Sequence, residues 1–171
     1  LNFSAALLQH LSGASFACLQ ALTLDFGDIV PDDTKLAPVM RTLADCLPRL
    51  GKLQQFSFSA YSQQLDDWTS KLSQAENLVW QLPTAATVYI HVQSPPLIVA
   101  PKATKLDLWA GAATVVDTKR NLRSALNSSL LSELKFRGYS AKLFGNRSLF
   151  AEITEQKQLW PHLSGFESDF P

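Results

Sequence analysis

Three histidines, two cysteines and two acidic doublets are the side chains of this 171-residue chain best suited to acid–base, nucleophilic or metal chemistry. His10, His91 and His162 have no metal-ligand spacing to one another. His10 reads as a helix-surface residue and His162 as a loop residue beside Trp160. Asp32-Asp33 and Asp66-Asp67 stand where helices should begin. A carboxylate there accepts from free backbone N–H groups and meets the positive end of the helix dipole, so both doublets read as caps. Cys18 precedes a strand pattern and Cys46 sits in a helical one. Two cysteines are too few for a disulfide scaffold, and both are expected as reduced, half-buried thiols. The chain has no G-x-G-x-x-G, no P-loop and no G-x-S-x-G. Nothing in it assembles a nucleophile, a base and an orienting group. An enzyme is not expected, nor a cofactor or a metal.

Recognition chemistry is better supplied. Tyr89, His91, Trp109, Arg137 and Tyr139 all fall at alternate positions of strand-like stretches, out of phase with the apolar residues. Tyr, Trp and Arg dominate binding hot spots. By the period of two, these five share the face opposite the core. The rest of that outward set includes Thr23, Asp25, Ser57, Ser59, Thr87, Lys105, Asp107, Glu133, Lys135 and Glu167.

The elements that would carry these residues repeat. Leu19-x-x-Leu22-x-Leu24 is the first copy of one pattern. Leu53-x-x-Phe56-x-Phe58, Ala85-x-x-Val88-x-Ile90, Ala103-x-x-Leu106-x-Leu108 and Leu131-x-x-Leu134-x-Phe136 follow, and Leu163-x-x-Phe166-x-Ser168-x-Phe170 closes the series. The first and last copies also share an aromatic three residues ahead (Phe16, Trp160) and an Asp-Phe ending. Leu22, Leu24, Phe56, Phe58, Val88, Ile90, Leu106, Leu108, Leu134 and Phe136 are the expected core.

Between the strands lie helical patterns: 4–11, then the face Leu36, Val39, Met40, Leu43, Leu47, then Asp66 to near Leu78–Pro83, then Asp117–Leu130 with Leu122, Ala125, Leu126 and Leu130 on one face, then Leu149–Ile153. Pro95, Pro96 and Pro101 forbid a helix between the third and fourth strands, so that return is expected to be extended. A β-plus-helix unit cannot bury its apolar face alone. Stacked units bury it as one ladder, with parallel strands in sequential order and the helices on one side.

These six copies and their connecting helices resemble a leucine-rich repeat domain of the ribonuclease-inhibitor-like kind. The stretches 47–58 and 160–166 resemble the leucine-rich halves of fungal F-box-type proteins. The resemblance covers nearly the whole chain. It implies an α/β solenoid with the parallel sheet on its concave side and helices on its convex side. It also implies a protein-interaction module, the substrate-reading part of an F-box-type ubiquitin-ligase adaptor, with its protein partner on the concave surface. The ladder position after the strand is not filled consistently by Asn or Cys, two copies begin with Ala, and no F-box segment is present. An open, doubly wound α/β sheet is the alternative fold.

Composition bounds the rest. The chain is 46% apolar and 18% charged with a net charge of zero, which suits one globular domain at 1–171. That balance argues against nucleic-acid or membrane attraction, which needs a basic stripe. No apolar run reaches the ~18 residues of a membrane span. Leu1 is not a start methionine, and the chain reads as a segment of a longer protein. Sequons at Asn2, Asn127 and Asn146 keep a secreted or effector-type recognition protein as a second class. A small α/β enzyme is a third. An intracellular location is favoured over a secreted one.

Overall fold

The structure, a computed structural model, describes residues 16–26, 33–59, 78–92, 96–109, 124–125, 127–137 and 160–168, with backbone alone at 33–38, 136–137 and 166–168. Strand β1 is Ala21–Asp25 and is followed by helix α1, Asp33–Cys46, and a 3-10 turn, Leu47–Arg49. Then come β2 Gln55–Ser59, β3 Val79–Gln81, β4 Thr87–His91, β5 Leu97–Val99, β6 Lys105–Trp109, β7 Glu133–Arg137 and β8 Gly165–Ser168.

Six of these strands form one parallel sheet in the order β1-β2-β4-β6-β7-β8, and β3 pairs with β5 in a second, two-stranded parallel sheet. Chain order is kept across the large sheet, without the reversal point of a doubly wound sheet. The register is strict. Ala21, Gln55, Thr87, Lys105, Glu133 and Gly165 stand in one row, so successive strands lie 34, 32, 18, 28 and 32 residues apart.

A repeated turn sets that register. Residues 17–18, 51–52, 83–84, 101–102, 129–130 and 161–162 are turns in the same place ahead of each strand. In five of the units an amide closes back three residues, as Leu53 N–H does on the Leu50 carbonyl and Leu163 N–H on that of Trp160; Leu19, Ala85 and Ala103 do the same. After each of these turns but the first, two successive amides share one carbonyl of the preceding unit. Gln54 and Gln55 donate to Gln20, Ala86 and Thr87 to Gln54, and Thr104 and Lys105 to Ala86. Ser132 and Glu133 donate to Thr104, and Ser164 and Gly165 to Ser132. Hydroxyls reinforce the ladder: Thr104 donates to the Ala86 carbonyl, Ser132 to that of Thr104 and Ser164 to that of Ser132. Each backbone group at a strand entry thus finds its partner one unit away.

The core lies on one side of the large sheet. Leu24, Phe56, Phe58, Val88, Ile90, Leu106, Leu108 and Leu134 are at most 2% exposed, as their alternation requires. Each such side chain contributes about 1.5–3 kcal/mol on burial. The Phe136 side chain lies outside the described residues. Leu22 departs from the expectation and is only partly buried. It sits on β1, which among the described residues has a single strand neighbour, so one flank lacks the cover that Phe56 receives from two.

Val39, Met40, Leu43, Cys46 and Leu47 pack from α1 and the 3-10 turn into this same core. Trp80 on β3 meets Phe56 and Phe58 edge-on, with ring centroids 5.7 and 5.0 Å apart. The small sheet therefore covers the side that α1 covers. The extended return expected between the third and fourth strands is present as β5. Other connections differ from expectation. Residues 79–81, assigned to a helix end, form β3. Residues 129–130 form a turn instead of the last residues of a helix, and Leu130 is 45% exposed instead of facing the core. The cysteines differ as well: Cys18 is exposed and Cys46 buried, where both were expected half-buried. The proposed helices at 4–11 and 149–153, 66–77 of the third, and 117–123 and 126 of the fourth lie outside the described residues.

Candidate functional site

Beyond the entry row of Ala21, Gln55, Thr87, Lys105, Glu133 and Gly165, the face opposite the core carries two further rows of positions, the first across six strands and the second across five. One is Thr23–Ser57–Tyr89–Asp107–Lys135–Glu167, and beside it runs Asp25–Ser59–His91–Trp109–Arg137. Parallel pairing at ~4.8 Å per strand sets the spacing within each row.

The sheet brings four of the five expected recognition residues together. Tyr89 and His91 lie on β4, and Trp109 on β6 is the register partner of His91. Arg137 on β7 is in turn the register partner of Trp109. Tyr139 lies outside the described residues. Tyr89, His91 and Trp109 are each half-buried, which leaves an edge or a polar tip of each open to a partner.

Between Tyr89 and β7 the face sinks into a hollow of about 170 Å³, lined by Tyr89, Lys105, Leu106, Asp107, Glu133 and Lys135. Lys105 Nζ reaches Glu133 Oε2 at 3.3 Å, with both side chains more than two-fifths exposed, so the pair contributes at most about 1 kcal/mol. At the adjoining position of β8, Gly165 leaves room for Glu133: a Cβ there would come within 3.2 Å of its Cγ.

Asp107 combines the outward position that alternation predicts with a depth that alternation does not give. It stands in the outward row, yet it is 7% exposed. Tyr89 and Lys135 flank it on the neighbouring strands, and Lys105 and Trp109 on its own. His91 Nε2 lies 3.6 Å from Asp107 Oδ1, close enough for an ion pair once the imidazole is protonated and longer than a hydrogen bond. Alternation gives the side of the sheet to which a side chain points, and bulky neighbours on central strands decide whether water reaches it. The Tyr and Lys on the flanking strands were the signal in the sequence. Ser59, 8% exposed, donates to Asp25 Oδ1 at 2.7 Å at the β1 end of the other row.

No family model, curated protein or solved structure matches the chain. The site therefore has to be read from its own chemistry. It combines half-buried aromatics, one imidazole and charges of both signs on a rigid ladder. Among the described residues, no three His, Cys, Asp or Glu side chains converge so as to hold a metal ion. Nor, among those residues, is any helix long and apolar enough to cross a membrane.

Proposed function

We propose that the chain is a leucine-rich-repeat-like solenoid segment that binds a protein partner on the open face of its sheet. The observation that carries this reading is the unit-by-unit identity of the pre-strand turn and the shared-carbonyl hydrogen bonds from Gln20 to Ser132. Units that repeat this closely stack against nearest neighbours and leave one face of each strand free, which is how solenoids build binding surfaces. Tyr89, His91, Trp109 and Arg137 then form the centre of the surface, as one cluster on β4, β6 and β7.

The resemblance to the leucine-rich part of F-box-type proteins extends the proposal. The parent protein is then a substrate adaptor of a ubiquitin ligase, and this segment reads the substrate. A photo-cross-linking residue at Trp109 or Tyr89 tests the surface. It should capture the same protein from either position, and one at Leu130 should not. Capture from Leu130 alone would move the surface to another side.

One observation favours a second reading, a secreted or effector-type recognition protein. Asn127 of the sequon at 127–129 is exposed in the approach to β7 and so open to a glycan. Mass spectrometry of the protein from its native source decides between the two: an occupied Asn127 supports secretion, and a bare one supports the intracellular adaptor.

A further inference from the structure

The buried carboxylate of the recognition face has a role that its place in the row does not explain. Asp107 is 7% exposed on a face where Tyr89, His91, Trp109 and Lys135 are only half-buried. A carboxylate removed from water is costly unless basic partners offset the loss, and near-burial makes each such partner count for more. The bases around Asp107 come from three strands. His91 on β4 stands at 3.6 Å, Lys135 on β7 is the register partner, and Lys105 lies two residues back on β6 with its ammonium turned to Glu133. The interaction with His91 crosses the boundary between β4 and β6, the boundary on which Tyr89, His91 and Trp109 all lie.

We propose that Asp107 is the positioning residue of the recognition face: its buried carboxylate holds His91 in one orientation beside Trp109 and so fixes the shape offered to a partner. A half-buried imidazole next to a fixed charge adopts the rotamer that brings it nearest. Removing the charge takes away the interaction that selects this rotamer among the staggered ones. This deepens the recognition reading and rests on it for its consequence alone. Asp107 does not itself need to touch the partner.

NMR on the full chain tests it. In the native protein the two Hα–Hβ couplings of His91 should be those of a single rotamer, one large and one small or both small. In Asp107→Asn, which keeps the volume and removes the charge, they should collapse toward a common averaged value. Amide protection of residues 105–109 should stay unchanged, which separates positioning from a general loss of structure. If Asp107→Asn does not fold, the same couplings are followed in the native chain as acid protonates the Asp107 carboxyl, read from its carbon shift. Collapse in step with that titration supports the proposal. His91 couplings that persist in the variant or through the titration overturn it. A partner cross-linked from another face would remove the recognition reading and leave this coupling result standing, so the two failures are distinguishable.

Discussion

The Trp80 indole donates its N–H to the Met40 carbonyl at 3.2 Å, across 40 residues of chain. Trp160 repeats the arrangement on Ala125 at 3.1 Å, across 35 residues. In both cases a fully or nearly buried indole from a later unit satisfies a carbonyl of a helical segment before it. Met40 lies within α1 and the Ala125 carbonyl also accepts from the Ser128 amide, so in each case the indole, which only donates, adds a bond to a carbonyl's second lone pair. Tryptophan thus fills the core and fastens consecutive units in one step. Trp80→Phe should keep the ring contacts with Phe56 and Phe58 and lose the bond to the Met40 carbonyl. The expected loss is about 0.5–1.5 kcal/mol, read as a lower urea midpoint at unchanged slope. An unchanged midpoint would mean that the bond contributes nothing.

Leu106 and Leu130 make a matched pair. Leu106 is 2% exposed on a central strand and Leu130 is 45% exposed in the turn before β7. Leu106→Ala should cost ~2–5 kcal/mol, the usual range for a cavity left in a packed core. Leu130→Ala should stay within ~0.5 kcal/mol of the parent. Denaturant melts of the two variants should separate widely, and coincident curves would put Leu106 outside the core.

The strands were legible because period-two alternation is strong in stretches such as Thr87–His91, where β-branched and aromatic residues also favour a strand. Leu47, Leu43 and Met40 were legible on the helical period. β3 was not. The run from Leu78 to Leu82 is too short for periodicity to tell a strand from a helix end, and its pairing partner lies 18 residues on. Leu22 was read as core because the pattern does not reveal that its strand is at an edge. The burial of Asp107 on the outward face was not legible because alternation gives direction alone. The bonds from Trp80 and Trp160 are tertiary and leave no local trace.

The two cysteines should react very differently. Cys18 is exposed, with Lys52 Nζ 3.8 Å from its sulfur. Cys46 is 1% exposed beside the Leu43 carbonyl. A thiol reagent should label one site in the native chain and two after denaturation. Native labelling of both would show that the end of α1 opens readily.

Burial, ahead of every other cause, pushes the Cys46 thiol above its ordinary value, and the charge of Asp45 adds to this. Its own backbone amide and Arg49 pull the other way. The folded state therefore holds this proton more tightly than the unfolded chain does. That contribution is fully present below the unfolded thiol value and is lost as pH rises through the higher folded one. Alkaline titration of stability should fall more steeply for the parent than for Cys46→Ala. Parallel curves would assign the loss to other groups.

The central claim is that the open sheet face, centred on Tyr89, His91, Trp109 and Arg137, binds a partner that the core does not need. Trp109→Ala separates binding from folding most directly, because Trp109 is half-buried in the outward row and next to His91. The measurement is the affinity of the captured partner for parent and variant, by titration calorimetry, with the melting temperature of each. The account predicts a loss of more than ~2 kcal/mol in affinity, roughly 30-fold in Kd, at a nearly unchanged melting temperature. Unchanged affinity with a lowered melting temperature would contradict it and make Trp109 a structural residue.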